Sequence, residues 1–171
     1  YESQYPKSEE VLFESENLKL EGTIRYPSIS KSRAIIILTS SGNADRSASR
    51  AEAILFAQMG FTTFHYDKRG TGDSEGNWQS ASMESLISDD IQAIKYFSVK
   101  TGIPLSKIGI KGSSQGATKV PYILRNITEL EYGISVSCPG VSLLESDLNY
   151  WENRNADALK EDLDTASELQ R

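Results

Sequence analysis

Residues 108–117 read Ile108-Gly109-Ile110-Lys111-Gly112-Ser113-Ser114-Gln115-Gly116-Ala117, a short apolar segment that runs into the pattern G-x-S-x-G. The apolar residues predict a buried strand, and the residues after Ser114 predict the start of a helix. On its own, G-x-S-x-G is a weak signal, because ordinary loops also contain it. Between a strand and a helix, the same pattern predicts a nucleophile elbow with Ser114 at its tip.

The residue types around Ser114 fit the geometry of such an elbow. A serine on a tight strand-to-helix turn holds a strained backbone, and larger side chains two positions away would collide with the adjoining chain. Gly112 and Gly116 therefore supply room. The amide of Gln115 is the first of the following helix, and we expect it to donate to a developing oxyanion near the positive end of the helix.

Apolar patterns on both sides of this stretch predict alternating strands and helices. Predicted strands cover residues 11–14, 18–26, 34–39, 61–66 and 133–138, and helix-period apolar residues lie between 51 and 59, between 86 and 97, and over 115–126. The first two strands are joined by a turn at Asn17 and are expected to pair as an antiparallel edge. The alternation from Ala34 to Cys138 predicts right-handed crossovers and a mainly parallel sheet between two helix layers, a three-layer α/β/α sandwich.

Composition restricts the classes of partner. The chain has 171 residues, of which 38% are hydrophobic, and this is enough for one domain with a core. Its net charge of −6 argues against nucleic acid and against an anionic membrane surface, since either would need a basic patch. No apolar run approaches the ~20 residues of an integral membrane segment.

Two further features bear on the cellular compartment. The single cysteine, Cys138, excludes an intrachain disulfide and a thiolate metal site, and it leaves the redox compartment open. The chain begins with Tyr1 rather than methionine, so we expect that an upstream segment has been removed. A secretory signal peptide is the expected kind of segment, and this favours an exported, periplasmic protein.

Five blocks of the sequence, in order, resemble those of one enzyme superfamily. They are Leu20–Pro27, similar to an L-x-G-T-L-x-x-P entry hairpin; Ser41–Arg46, similar to S-G-P-x-D-R; Tyr66–Ser74, similar to Y-D-x-R-G-x-G-x-S; Gly112–Pro121; and Ser137–Gly140. Over about residues 10–145 the chain resembles the N-terminal part of an α/β-hydrolase. The similarity is to the bacterial esterase and acyl-hydrolase branch, related to prolyl-oligopeptidase-like and dienelactone-hydrolase-like enzymes. Asn43 departs from this pattern, since the family often has proline there.

The resemblance implies a domain division and a second oxyanion donor. Residues 1–141 would form the N-terminal part of the hydrolase core, and residues 142–171 the start of a helical cap or lid or, alternatively, a terminal helix. In such folds the second oxyanion amide follows the third strand, which here implies Ser41 or Gly42; a simple turn is the alternative. Because the family's sheet continues with two further strands, the fold is expected to be incomplete at its C-terminal side, with residues 133–138 as an apolar edge.

The catalytic partners of Ser114 are missing from the sequence. A serine nucleophile needs a histidine to take its proton and a carboxylate to hold that histidine. The one histidine, His65, precedes Ser114, whereas the family order is serine, acid, histidine, so we expect a structural role for His65 beside Asp67. No aspartate after Ser114 follows an apolar strand, and none is assigned as the acid: Asp147, Asp157, Asp162 and Asp164. We therefore expect the acid and the histidine in further sequence of a longer enzyme.

The loop after Tyr66 carries charges and glycines. We interpret Asp67 and Arg69 as an ion-paired scaffold that fixes a loop beside the site. The segment Gly70–Gly72 follows a strand, as in a dinucleotide-binding G-x-G-x-x-G, but Glu75 stands at the third glycine position. Its charge would repel a pyrophosphate, and this excludes a dinucleotide site.

Three hypotheses for function remain. The first is a serine hydrolase that cleaves a carboxylic ester, or else an amide, of a small-molecule substrate through an acyl-Ser114 intermediate, with no metal or organic cofactor. The second is a non-catalytic α/β-hydrolase-like domain that binds a small apolar ligand or a partner chain. The third, acyl transfer to an acceptor other than water, needs the same residues. Under the first hypothesis, the 171 residues alone are expected to be inactive.

Overall fold

Strands and helices alternate from residue 34 onward in the computed structural model, which describes residues 6–138, Gly140 and Leu148. The strands are β1 (Lys7–Ser15), β2 (Leu18–Tyr26), β3 (Ala34–Ile37), β4 (Thr62–Tyr66), β5 (Ile108–Ser113) and β6 (Tyr132–Val136). The helices are α1 (Arg50–Gln58), α2 (Met83–Thr101) and α3 (Gln115–Asn126), with short 3-10 turns over Arg46–Ser49 and Leu105–Lys107. The predicted order of elements is confirmed. The cap or terminal helix predicted over 142–171 lies outside the described residues, apart from Leu148.

The strands form one sheet in the order β1-β2-β4-β3-β5-β6. The hairpin β1–β2 is antiparallel, and its two-residue turn has positive φ angles of 49° at Glu16 and 65° at Asn17, as tight hairpins require. β2 is antiparallel to β4, and all other pairs are parallel. The carboxyl ends of β3, β4 and β5 therefore meet at one edge of the sheet, where open α/β sheets bind their ligands.

Helices cover both faces of the sheet. The main apolar cluster contains Ile36 of β3 together with buried residues of α2 and α3, such as Phe97 and Ile123. Ile35 and Ile37 are also buried but lie outside that cluster, as do the buried alanines of α1. Because successive side chains of a strand point to opposite faces, β3 is covered by α2 and α3 on one face and by α1 on the other. The predicted mainly parallel α/β fold is confirmed.

β6 forms an apolar edge of the described sheet. Within the described residues it pairs with β5 alone, and its side chains Ile134 and Val136 are 39% and 42% exposed. Apolar strands with an open edge are rare on natural protein surfaces, because they promote pairing with other chains. This edge matches the expectation that further strands continue the sheet in the family.

A fully buried ion pair connects α2 to α3 behind the carboxyl edge of the sheet. Lys119 Nζ lies 2.6 Å from Asp90 Oδ2, and both side chains are 0% exposed. Tyr66, at the end of β4, donates its hydroxyl to Asp90 Oδ1 at 2.7 Å, and Lys119 donates to Thr39 Oγ1 at 2.8 Å. Burial raises the pKa of Asp90, and Lys119 opposes that rise. The network connects α2, α3 and β4 with the segment that follows β3.

Candidate active site

Ser114 occupies the turn between β5 and α3 in a strained backbone conformation. Its φ of 52° and ψ of −123° lie in a region that residues with a Cβ atom rarely adopt. A Cβ atom on Gly112 would lie 2.2 Å from the carbonyl oxygen of Gly116, and one on Gly116 would lie 2.9 Å from the carbonyl oxygen of Thr39. The close approach of backbone to backbone therefore explains both glycines of G-x-S-x-G.

The backbone of Ser114 is fixed while its side chain is accessible. The Ser114 amide donates to the carbonyl of Val136 at 3.0 Å, and the Ser114 carbonyl accepts from the Ala117 amide at 2.9 Å. The residue is exposed, and no group in the described part of the chain binds its hydroxyl. The Ser114 hydroxyl is therefore exposed at the sheet edge and makes no internal contact within the described residues.

The residue after Ser114 has a backbone N–H group without an acceptor in the described structure. Gln115 is the first residue of α3, and its backbone N–H donates to no acceptor within residues 6–138. The first N–H groups of a helix have no intrahelical partner, and the helix dipole makes their surroundings positive. Such a group can stabilise an oxyanion that develops on a substrate bound at Ser114.

The loop after β3 packs against this elbow. Ser40 donates its hydroxyl to the carbonyl of Ser113 at 3.1 Å, and the Leu38 amide donates to the carbonyl of Lys111 at 2.8 Å. Ser41 and Gly42 are exposed next to these contacts, and Gly42 has a positive φ of 71°. The structure thus places the loop that contains both predicted oxyanion residues beside the elbow.

Lys68, which no sequence pattern predicted as a site residue, binds this loop through two of its carbonyls. Its side chain is 1% exposed, and Nζ donates to the carbonyls of Ser40 at 2.9 Å and Gly42 at 2.5 Å. The ammonium also lies 4.6 Å from the ring centre of Trp78, a cation–π distance. Burial lowers the pKa of Lys68, with a smaller contribution from Lys119.

The contact of Lys68 with the carbonyl of Ser40 fixes the orientation of the Ser41 amide. No peptide bond of the described residues is cis, and in a trans peptide the C=O and N–H groups point in opposite directions. Because the carbonyl of Ser40 faces Lys68, the N–H of Ser41 points away from the ammonium. The amide of Gly42 belongs to the next peptide, on which Lys68 makes no contact in the described structure.

Asp67 and Arg69 are both ion-paired, but not with one another, which corrects the expected scaffold. Asp67 accepts the Arg46 amide at 2.7 Å and pairs with the Arg46 guanidinium, so it holds the far end of the oxyanion loop. Arg69 binds Asp89 of α2 through two contacts of 2.7 Å and Glu16 at 2.9 Å. The hydrogen bond to Asp89 is the main cause of the raised pKa of Arg69.

His65 has a structural position, as expected. It lies in β4, which β3 separates from the strand that carries the elbow, and it is 1% exposed. Its Nδ1 contacts the carbonyl of Arg46 at 2.9 Å and the hydroxyl of Ser49 at 3.0 Å, rather than Asp67. Burial, followed by the charge of Arg25, lowers its pKa from 6.5 to about 4. His65 is therefore neutral near pH 7.

Comparison with solved structures finds proteins with a similar fold. The esterase Pf2001 of Pyrococcus furiosus is 22% identical with a TM-score of 0.68, over 78% of this chain and 52% of its own. The hypothetical protein PA2218 of Pseudomonas aeruginosa is 18% identical with a TM-score of 0.71, over 91% and 56%. The α/β hydrolase GrgF of Penicillium sp. sh18 is 20% identical with a TM-score of 0.67, over 96% and 55%. At this identity the likeness establishes the fold, and the chain spans about half the length of these structures.

Sequence comparison assigns the family. No curated protein sequence matches the chain significantly. No helix of the described residues has the length and apolar character that crossing a membrane requires. The model of the X-Pro dipeptidyl-peptidase (S15) family, however, matches residues 9–165. The chain therefore belongs to the S15 family and has the α/β-hydrolase fold.

Proposed function

We propose that the full-length protein is a serine hydrolase that cleaves a carboxylic ester of a small molecule through an acyl-enzyme on Ser114. The observation that carries this proposal is the strained Ser114 turn, with an exposed hydroxyl and the unoccupied amide of Gln115 beside it. Proteins keep strained backbone chiefly at functional sites, where it aims a reacting group. A purely structural turn would have no need of that strain.

In the proposed reaction, Ser114 Oγ attacks the carbonyl carbon of the substrate while a general base takes the hydroxyl proton. The carbonyl oxygen becomes an oxyanion that accepts hydrogen bonds from the amides of Gln115 and Ser41. We propose Ser41 rather than Gly42 as the second donor, because Lys68 fixes the peptide that carries the Ser41 N–H. The alcohol then leaves with a proton, and water releases the acid and regenerates the serine.

The general base is proposed to lie outside the present sequence. No histidine follows Ser114, and His65 is buried, neutral and two strands away from the elbow strand. The structural relatives are about twice as long as the matched region, which leaves room for a base and an acid in the part of the protein that this chain does not cover.

The leaving group can be tested directly. The family description names X-Pro dipeptidyl-peptidases, which act on amides, whereas one structural relative is described as an esterase. We expect the full-length protein to hydrolyse short p-nitrophenyl esters with a higher kcat/KM than an X-Pro p-nitroanilide. The reverse order would assign the amide reaction to the same residues.

The matched variants are Ser114→Ala and Ser113→Ala. Ser113 is the neighbouring serine, and its hydroxyl binds Lys111 Nζ at 2.6 Å. We expect Ser114→Ala to lower kcat for the ester by about 10⁴-fold or more, and Ser113→Ala to retain most of it. Absence of hydrolysis by the folded full-length wild type would instead favour a non-catalytic binding domain.

A further inference from the structure

Two buried side-chain nitrogen atoms away from the candidate active site lack hydrogen-bond partners in the described structure. Arg25 of β2 is 8% exposed, yet no acceptor of the described residues binds its guanidinium, and its Nε is enclosed. The Nε2 atom of His65 is likewise buried and unpartnered in that part of the chain. Such atoms are rare in folded proteins, because each costs free energy unless water or a ligand supplies the missing partner.

Both side chains line one cavity of about 350 Å³. It is bordered by β1, β2, β4 and the start of α1, and Arg50, the exposed first residue of α1, also lines it. The charge of Arg50 contributes to lowering the pKa of both Arg25 and His65, so the three groups are close. Neither Ser114 nor the oxyanion residues line this cavity, which is therefore separate from the site described above.

The acidic residues around the cavity are already bound by other groups. Glu10 accepts the Thr23 hydroxyl at 2.8 Å and lies 3.2 Å from the Arg46 guanidinium. The other acids are committed similarly: Asp67 and Asp73 pair with Arg46, and Asp45 accepts the Ser47 amide at 2.7 Å. Within the described residues, neither Arg25 nor Arg50 forms an ion pair with an acid, and the charge of Glu10 acts on Arg25 without a direct contact.

The tautomer of His65 defines the complementary ligand. Its Nδ1 faces the Arg46 carbonyl, which can only accept, so Nδ1 carries the ring proton. Nε2 of the neutral ring is then an acceptor. His65 lines the same cavity as Arg25 and Arg50, and the charges of both arginines act on its ring. A ligand that satisfies all three side chains must offer oxygen acceptors to the arginines and one hydroxyl donor to the histidine.

We propose that this cavity binds a protonated phosphate group, as inorganic phosphate or as a phosphate monoester, with Arg25 and Arg50 on its oxygens and His65 Nε2 on its P–OH. Arginine suits this group because its planar guanidinium donates to two oxygens at once. Sulfate and carboxylates offer acceptors but no hydroxyl donor near neutral pH. They would leave Nε2 of His65 unpartnered, so the site is expected to prefer phosphate.

The test is titration calorimetry of the full-length protein with sodium phosphate near pH 6, where the group is protonated, at constant ionic strength in chloride. We expect saturable binding with a Kd below about 1 mM. Arg50→Gln, a change at an exposed residue, should weaken it about 10-fold or more. Arg33→Gln is the matched control, because Arg33 pairs with Glu131 at 2.9 Å outside the cavity, and it should leave binding unchanged.

Two further binding measurements identify the ligand. Sulfate should bind at least about 10-fold more weakly than phosphate to the wild type, and His65→Asn, which lacks the Nε2 acceptor, should lose that preference. Competition by glycerol 2-phosphate would assign a monoester, and its failure to compete would assign inorganic phosphate. The proposal is overturned if the wild type shows no saturable binding, if Arg50→Gln and Arg33→Gln behave alike, or if sulfate binds as tightly as phosphate.

Discussion

Replacement of Lys119 by methionine would remove one partner of the buried ion pair between α2 and α3. Both partners are 0% exposed, so Asp90 would keep only the Tyr66 hydroxyl as a donor. Breaking a buried pair in this way costs about 3–5 kcal/mol, because it leaves an uncompensated buried charge. We therefore expect Lys119→Met to lower the free energy of unfolding by that amount near pH 8.

The double variant Lys119→Met/Asp90→Leu should be more stable than Lys119→Met alone. The double variant removes both charges, so no uncompensated charge stays buried. It also removes the hydrogen-bond partners of the Tyr66 and Thr39 hydroxyls, and each loss costs about 1 kcal/mol or somewhat more of unfolding free energy. The cycle completed by Asp90→Leu should give a coupling free energy of about 2 kcal/mol or more. The matched control is the exposed pair Arg33 and Glu131, whose cycle should give less than about 1 kcal/mol.

The loss of stability in Lys119→Met should also depend on pH in a defined direction. Burial already raises the pKa of Asp90, and removal of Lys119 raises it further. A carboxyl whose folded pKa lies above its unfolded pKa destabilises the fold increasingly as the pH rises through that folded value. The defect of Lys119→Met should thus be smaller at pH 5 than at pH 8 in urea unfolding followed by circular dichroism. Coupling below about 1 kcal/mol, or a defect that grows toward acid, would contradict a strong interaction between Lys119 and the ionised Asp90.

Three further predictions follow from individual contacts. Lys68→Met should lower kcat for an ester about 10-fold with KM nearly unchanged, because the Ser41 amide loses its orientation; an unchanged kcat would contradict this role. Because the folded pKa of His65 lies below its unfolded value, its neutral form should support the fold above pH 6.5, and about 3 kcal/mol should be lost as the pH falls to about 4. Urea unfolding of His65→Asn should lack this component, and an identical pH dependence in the variant would argue against it. Gly112→Ala should cost more than about 3 kcal/mol of unfolding free energy, because its Cβ would lie 2.2 Å from a carbonyl oxygen, whereas Gly102→Ala, at φ 71° in open space, should cost about 1 kcal/mol.

The elbow and the order of elements could be predicted because their signals are local. Gly112 reflects a clash within four residues of chain, and the unbroken apolar run of β3 reflects burial on both faces. No local pattern in the sequence indicates that Lys68 and Lys119 are buried. A lysine becomes a core residue only when the topology brings distant acceptors to it, such as Gly42, 26 residues away, or Thr39, 80 residues away.

The partners of Asp67 and Arg69 were predicted incorrectly for a related reason. Their closeness in sequence suggested a pair, but the hairpin and α2 offered Arg69 two other carboxylates, and the oxyanion loop offered Asp67 another arginine. Choices among equivalent charges depend on three-dimensional placement, which a single sequence does not specify. For the same reason, the sequence did not predict that Arg25 Nε and His65 Nε2 are buried without hydrogen-bond partners in the described part of the chain.

The most direct test of Ser114 as a nucleophile is covalent labelling of the full-length protein with a fluorophosphonate, followed by intact-mass and peptide mass spectrometry. We expect one adduct, on Ser114, that is lost in Ser114→Ala and retained in Ser113→Ala. An adduct on another serine, or no adduct on the folded wild type, would contradict the assignment of Ser114 as a nucleophile.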